Sequence, residues 1–232
     1  MDLCRKHVEF ICLHEVIIKV ETPYRILLNT EQTIAQLVRE GKLTRFNPAE
    51  TAIKRHAVTV PVRIAHKKGF VSFRGKLILD YGAGHSIDYE YITKFGGTCY
   101  LYDLTWFPLS QSSATFPPNQ RVQQITPETP RHFFDAILLN YVLNVVTLVE
   151  RKIIAETALK LLSPTGKLIV GVRTDSTSIK PTWRPFEDGF ITPKQTFQSF
   201  FDKKHNGLQK IRDLFPRMQL RHIGRGTWLI EF

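Results

Sequence analysis

Two acidic residues that each follow a short apolar run are the side chains best placed to do chemistry in this chain. Asp80 ends the first run and precedes a turn that contains Gly82 and Gly84. Asp103 ends the second run, twenty-three residues further on. Glycines let the backbone between a buried strand and a helix come close to a ligand, and an acid at the tip of the next strand can bind a ribose. The pattern predicts a nucleoside pocket.

Two common nucleotide motifs are excluded at this turn. A dinucleotide site would have a third glycine where the chain has Ile87, and a phosphate-binding loop would end in Gly-Lys-Ser or Gly-Lys-Thr, which is absent. A simpler alternative stays open, in which the glycines only allow a strand to pack on a helix. Asp80 before the turn and Asp103 after it favour the nucleoside pocket.

The Asp-x-Gly-x-Gly turn resembles the first motif of class I S-adenosylmethionine-dependent methyltransferases, with Ser86 where that family usually has a third glycine. The resemblance implies S-adenosylmethionine as the cofactor. It implies that Gly82 and Gly84 let the backbone pass under the amino-acid end of the cofactor, and that Asp80 holds the turn. Asp103 is then expected to accept hydrogen bonds from both ribose hydroxyls.

Three later strand ends supply further candidates under the same resemblance. Thr126 follows the third strand and is expected beside the adenine. Asn140 and Tyr141 follow the fourth strand, whose tip faces the methyl group, and they are expected to contact the cofactor and to bind and stack the acceptor. Packing of Tyr141 against the next helix is an equal alternative. Asp175 follows the fifth strand and is interpreted as a general base or as a cap of its loop.

Known acceptor chemistries fit this tip only in part. Methyltransferases that act on exocyclic amines of DNA resemble one another in an Asp/Asn-Pro-Pro-aromatic motif, of which this chain has Asn140 and Tyr141 but neither proline. Methylation of a cytosine carbon uses a cysteine nucleophile, and no cysteine lies near the fourth strand, so that chemistry is disfavoured.

Positive charge is concentrated just before the glycine turn. The formal net charge is +11, and residues 51–76 contain seven Lys and Arg residues and no acid. A positive field of this kind attracts polyanions, so a nucleic-acid partner is predicted, with DNA favoured over RNA. A solvated face that only aids solubility is the alternative. The predicted nucleic-acid-binding residues are Lys54, Arg55, Arg63, Lys67 and Lys68.

Alternating strand and helix patterns begin at residue 76 and predict a parallel sheet with helical crossovers. The last two strands read as an antiparallel hairpin. We therefore predict an α/β fold: a Rossmann-like class I methyltransferase sheet, mostly parallel, with helices on both faces and an α+β N-terminal extension. The predicted parts are an extension over 1–50, a basic helical segment over 51–75 and a methyltransferase-like domain over 76–232.

Individual helices are predicted from capping residues and apolar periodicity. Asn29 or Thr30 is expected to cap a helix that ends near Glu40, and two late helices are expected over 193–202 and 206–214. Three cysteines at no metal-ligand spacing predict reduced thiols in the cytoplasm, and no histidine has a partner at metal spacing, so no metal is assigned. Neither a signal peptide nor a membrane-spanning run is recognised.

A narrower resemblance rests on an ordered set of segments. The segments 51–55, 60–63, 80–84, 140–146, 189–192 and 196–201 resemble, in that order, segments of the DNA phosphorothioation-associated methyltransferase family. The resemblance implies a methyltransferase linked to DNA modification or defence. Two alternatives stay open: a weakly active or inactive protein of this fold that binds nucleic acid as a scaffold, and a methyltransferase for a small molecule.

Overall fold

The computed structural model describes most of the chain from residue 57 onward and parts of the region before it. The described residues are 10–13, 16–19, 23–44, 46, 57–84, 87–103, 123–124 and 134–232. Their strands are β1 (Phe10–Leu13), β2 (Val16–Lys19), β3 (Leu77–Tyr81), β4 (Thr98–Tyr102), β5 (Gln123–Gln124), β6 (Phe134–Asn140), β7 (Leu162–Gly171), β8 (Arg184–Phe186), β9 (Gly189–Ile191), β10 (Phe197–Ser199), β11 (Gln219–Gly224) and β12 (Thr227–Glu231). Their α-helices are α1 (Pro23–Arg39), α2 (Val60–Lys67), α3 (Ile87–Lys94), α4 (Leu148–Leu161) and α5 (Gly207–Leu214).

Seven strands form the main sheet, in the order β11-β12-β7-β6-β3-β4-β5. The strands from β7 to β5 are parallel, whereas β12 pairs antiparallel with β7 and β11 pairs antiparallel with β12. The mostly parallel sheet with a terminal antiparallel hairpin is the predicted class I methyltransferase fold, and that prediction is confirmed. Because the parallel strands end at one edge, the predicted site residues that follow them are brought to the same side of the sheet.

Helices cover both faces of this sheet, which explains why its central strands are almost continuously apolar. On one face, Val62 and Ala65 of α2 pack in a buried cluster with Ile169 of β7 and Leu229 of β12. Helix α3 joins the same cluster. On the opposite face, α4 and α5 pack against the other sides of β6 and β7.

Helix α1 lies against α4, and its predicted start is wrong. The hydroxyl groups of Thr30 and Thr157 are 2.8 Å apart, and Ile34 is fully buried. The helix begins at Pro23, so Asn29 and Thr30 lie inside it. Proline is well tolerated in the first turn of a helix, where its missing N–H would have no partner, and this explains the earlier start.

The predicted helix over 193–202 is also wrong, because this segment contains a strand. Strands β8, β9 and β10 form a separate antiparallel sheet, and Phe197 to Ser199 pair with Ile191 to Gly189. Gln195 turns the chain with a φ of 57°. Gly189 permits the close pairing, since a Cβ there would lie 2.5 Å from the carbonyl oxygen of Gln198. The prediction of a helix over 206–214 is confirmed by α5.

A buried ionic cluster holds the three-stranded sheet against α4 and α5. Arg151 is fully buried, and its Nη1 donates to Oδ2 of Asp188 at 2.5 Å. The Nζ of Lys210 lies 2.9 Å from the same oxygen. The guanidinium of Arg151 also lies 5.5 Å from the centre of the Phe197 ring and 5.3 Å from that of Phe201. Because Asp188 lies in the turn between β8 and β9, this cluster holds in place the part of the chain that follows β7.

Candidate functional site

Gly82 begins the turn after β3, and packing explains why a glycine is needed there. Its φ is 82°, and its N–H donates to the carbonyl of Tyr102 at 2.7 Å. A Cβ at this position would lie 2.3 Å from Cγ2 of Val142, which follows β6. The close approach that Gly82 allows is therefore made by the protein itself, between the turn and the tip of β6.

Gly84 and Asp103 meet as the spacing predicts. The Gly84 N–H donates to Oδ2 of Asp103 at 2.8 Å, which joins the tips of β3 and β4. Gly84 has a φ of 52°, and a Cβ there would meet no atom of the described residues within 4 Å. Asp103 is buried. The turn thus holds a glycine backbone and a buried carboxylate side by side at the carboxyl edge of the sheet.

Asp80 lies at the end of β3 and is buried beneath this turn. Burial raises its pKa well above the usual range for an aspartate, and the negative charges of Asp88 and Asp103 raise that pKa further. Ionisation of Asp80 therefore opposes folding, unless a bound cation compensates for the charge.

Asp88 is a central residue that the sequence analysis missed. It lies in the first turn of α3 and is almost fully buried. Its Oδ1 accepts from the Thr59 N–H at 2.7 Å, and its Oδ2 accepts from the Thr59 hydroxyl at 2.7 Å and from Nδ2 of Asn140 at 2.9 Å. One carboxylate thus joins the start of α2, the start of α3 and the tip of β6. Only an acid early in a predicted helix, which is common for electrostatic reasons, could have signalled it.

The contact with Asp88 restricts the predicted acceptor role of Asn140. Its amide nitrogen is committed to Asp88, and its Oδ1 is buried without a hydrogen-bond partner among the described residues. Tyr141 follows with a φ of 64°, and its N–H donates to the carbonyl of Gly171 at 2.7 Å. A tyrosine in this left-handed conformation is uncommon, and such conformations are concentrated at functional sites. The contact of Tyr141 with an acceptor stays a prediction.

Asp175 lies in the loop after β7 and is exposed. Its Oδ1 accepts from the Thr177 N–H at 3.1 Å and from the Thr177 hydroxyl at 2.5 Å. These bonds cap the short 3₁₀ turn Ser176–Ser178. Of the two interpretations of Asp175, they agree with the cap of its loop.

Of the predicted nucleic-acid-binding residues, three lie within the described residues. Arg63 is half-buried and Lys67 is exposed, both on α2, and Lys68 follows that helix. The Nζ of Lys68 donates to the carbonyl of Ile223 at 2.9 Å. Outside the described residues lie Lys54, Arg55, Ser86 and Thr126. Among the residues that are described, no helix is long and apolar enough to cross a membrane, and no cluster of ligand-type side chains could hold a metal ion.

A second pair that was missed lies just before α5. Nδ1 of His205 is 2.7 Å from Oδ1 of Asp202. Burial raises the pKa of Asp202, but hydrogen bonds from Ser176 and His205 together lower that pKa by more, so the pKa of Asp202 lies below the usual value. An Asp three residues before a His was the available signal. The pair is at the carboxyl edge because the Phe201 N–H donates to the carbonyl of Arg173 at 2.8 Å, just beyond β7.

Asp80→Asn is expected to stabilise the ligand-free protein at pH 8. The unfolded carboxyl titrates near pH 3.9, and the raised pKa in the folded state makes wild-type stability fall as pH rises through that folded pKa. The asparagine cannot ionise, so thermal unfolding should show a Tm several degrees above wild type at pH 8 and a smaller difference near pH 4. An equal difference in Tm between Asp80→Asn and wild type at both pH values would contradict ionisation of Asp80 as the cause of the lost stability.

Comparisons with known proteins show the fold alone. No protein-family model and no curated protein matches the chain. The PH0226 protein from Pyrococcus horikoshii OT3 is similar over 73% of this chain and 87% of its own, with 13% identity and a TM-score of 0.52. This likeness supports the α/β class I methyltransferase fold. The narrower phosphorothioation-associated family stays a prediction.

Two other solved structures superpose less closely. DesVI from Streptomyces venezuelae is 12% identical, with 74% of this chain and 91% of the other covered and a TM-score of 0.49. The 1,6-didemethyltoxoflavin-N1-methyltransferase from Burkholderia thailandensis, solved with 1,6-didemethyltoxoflavin and S-adenosylhomocysteine, is 18% identical, with 93% and 91% covered and a TM-score of 0.46.

Proposed function

We propose that this protein is an S-adenosylmethionine-dependent methyltransferase whose cofactor site lies at the carboxyl ends of β3, β4 and β6. The observation that carries the proposal is the contact between the Gly84 N–H and Asp103, at a glycine where no atom of the described residues would obstruct a Cβ. This combination allows a ligand to approach the backbone closely while a carboxylate is fixed beside it.

The residues present fit this cofactor. A carboxylate has about four acceptor positions, so Asp103 can accept from a ribose in addition to Gly84. The raised pKa of Asp80 is suited to a ligand that carries a cation, because a nearby ammonium group would favour the ionised carboxyl. Asp88 would act indirectly, by holding Asn140 and the tip of β6 in place.

S-adenosylmethionine supplies an activated methyl group on a sulfonium centre, so the chain itself needs to bind and orient rather than to form a covalent bond. Asp103 and the glycine turn would fix the position of the donor. The strained backbone at Tyr141 would fix the position of the acceptor at the tip of β6. Alignment of two reactants in this way can account for several orders of magnitude in rate.

For the acceptor we favour nucleic acid, with DNA before RNA, in a cytoplasmic DNA-modification or defence context. The net charge of +11, the exposure of Lys67 and Lys68 and the resemblance of segments 51–201 to the phosphorothioation-associated family support this choice. A small-molecule acceptor is the second candidate, since the Asp202–His205 pair at the same edge would suit a hydroxyl that must lose a proton.

The test is transfer of a tritium-labelled methyl group from S-adenosylmethionine to duplex DNA, single-stranded DNA, RNA and a set of phenols. We expect label on nucleic acid with wild type and none with Asp103→Ala. Label on phenols alone would contradict nucleic acid as the acceptor, but it would still support S-adenosylmethionine as the methyl donor. Failure of S-adenosylhomocysteine to bind would overturn the donor itself.

A further inference from the structure

Helix α2 and the terminal hairpin bring together cations that are far apart in the sequence. Nζ of Lys68 is bonded to the carbonyl of Ile223 in β11. The guanidinium of Arg221 lies 5.7 Å from the centre of the Phe70 ring, and Nζ of Lys167 donates to the carbonyl of Phe70 at 2.8 Å. Residues separated by 155 positions in the chain therefore share the side of the sheet that α2 covers.

We define the basic face as the set Lys67, Lys68, Lys167, Arg221 and Arg225. Four of these residues are exposed, and the side chain of the fifth, Lys167, is more than one-third exposed. Among the described residues, the ion pairs of the basic face are limited to that of Lys167 with Glu231 at 3.3 Å. Most of its positive charge is therefore available to an external anion.

Arg225 connects the basic face to the candidate site. It is exposed at the tip of the hairpin, with a φ of 47° between Gly224 at 122° and Gly226 at 67°. A long side chain is disfavoured in this conformation, where glycine or asparagine is usual. The Val172 N–H donates to the carbonyl of Gly226 at 2.9 Å, so the tip lies beside the end of β7 at the carboxyl edge.

We propose that the basic face binds the phosphate backbone of a nucleic acid and guides it along α2 and β11 to the carboxyl edge. The inference rests on the proposed function and deepens it, because it assigns the surface that holds the acceptor. Lys and Arg side chains contact phosphates without reading sequence, and the release of counterions makes such binding strongly dependent on salt. Arg225 would hold the nucleic-acid strand at the point where that strand enters the candidate active site.

The test is fluorescence anisotropy with a fluorescein-labelled 20-base-pair duplex across a salt series. The triple variant Lys67→Glu, Arg221→Glu and Arg225→Glu should bind at least about tenfold more weakly than wild type, and its salt slope should fall by about 2.7. The matched control is Lys152→Glu, Lys160→Glu and Arg212→Glu. These exposed residues lie on α4 and α5, on the opposite face, and their replacement changes the net charge by the same amount.

Three outcomes would overturn the inference. They are an equal loss of binding in the control, no binding of the duplex by wild type at about 0.1 M salt, and binding of phosphatidylserine vesicles in place of DNA. Arg225→Ala, which keeps the other cations, should give an intermediate loss if the triple variant proves unstable. Calorimetry with S-adenosylhomocysteine on the same variants should show wild-type affinity, so a failure of the cofactor site would be recognised separately.

Discussion

Asp188→Asn is expected to lower the free energy of unfolding by about 3–5 kcal/mol, since it removes the anion from a buried cluster of charges. Arg151 is fully buried, and Lys210 is more than four-fifths buried. Burial lowers the pKa of Lys210, and Asp188 opposes that effect. Without the carboxylate, both cations would remain desolvated without compensation.

The pH dependence of stability gives an independent check of this cluster. Burial raises the pKa of Asp188, but Arg151 and Lys210 lower it by more, so its pKa in the folded protein lies below the usual value. A lowered pKa contributes stability above the unfolded value near 3.9, and that contribution is lost as pH falls through the folded pKa. Wild type should therefore lose stability below about pH 4 more steeply than Asp188→Asn.

Urea unfolding at pH 7 would measure this effect. Asp135→Asn is the control, because Asp135 pairs with Lys76 at a partly exposed site and its ion pair should contribute no more than about 1 kcal/mol. A triple variant, Arg151→Met with Asp188→Leu and Lys210→Met, should recover much of the loss, since it leaves no member of the cluster charged and apolar side chains often replace buried ion pairs without cost. A loss for Asp188→Asn as small as that of the control would contradict the assigned role of the cluster.

Asp103→Ala should weaken binding of S-adenosylhomocysteine by about 10²- to 10⁴-fold. The expected loss corresponds to two hydrogen bonds from ribose hydroxyls to a carboxylate, each contributing about 1.5–3 kcal/mol. Asp103→Asn separates the two tasks of this residue. Its amide oxygen can still accept from the Gly84 N–H and keep the turn, while the negative charge is lost, so an intermediate affinity is expected.

Calorimetry with both variants, and with Asp135→Asn as the control, would measure these affinities. Asp135 accepts from the Leu77 N–H at the start of β3, at the opposite end of that strand from the candidate site. Equal weakening by Asp135→Asn and Asp103→Ala would show a general loss of stability rather than a lost contact. Unchanged affinity in Asp103→Ala would contradict the proposed ribose contact.

The sheet and the Gly84–Asp103 contact could be predicted from the sequence, because both depend on local patterns. Apolar runs specify the buried parallel strands, and residues at their carboxyl ends must share one edge. Asp103 is such a residue, and so the spacing was enough to place it beside the glycine turn. The terminal hairpin followed similarly from glycines between two strand patterns.

The contacts of Asp88 and Arg151 could not be predicted, because they depend on tertiary structure. Thr59 precedes α2 and would be expected to cap that helix, yet its hydroxyl is used by Asp88, twenty-nine positions further along the chain. Arginine is usually exposed on helices. The burial of Arg151 depends on its ion pair with Asp188, a residue that lies 37 positions later in the chain. The turn at Gln195 was missed because a left-handed glutamine has no sequence signal.

The most direct test of the central claim is isothermal titration of the wild-type protein with S-adenosylhomocysteine, with adenosine monophosphate as the comparison ligand. We expect saturable binding of one S-adenosylhomocysteine per chain and a concentration-dependent rise in Tm, with little response to the nucleotide. No binding heat and no thermal shift at millimolar S-adenosylhomocysteine would contradict the assignment of the turn between Asp80 and Asp103 as a cofactor site.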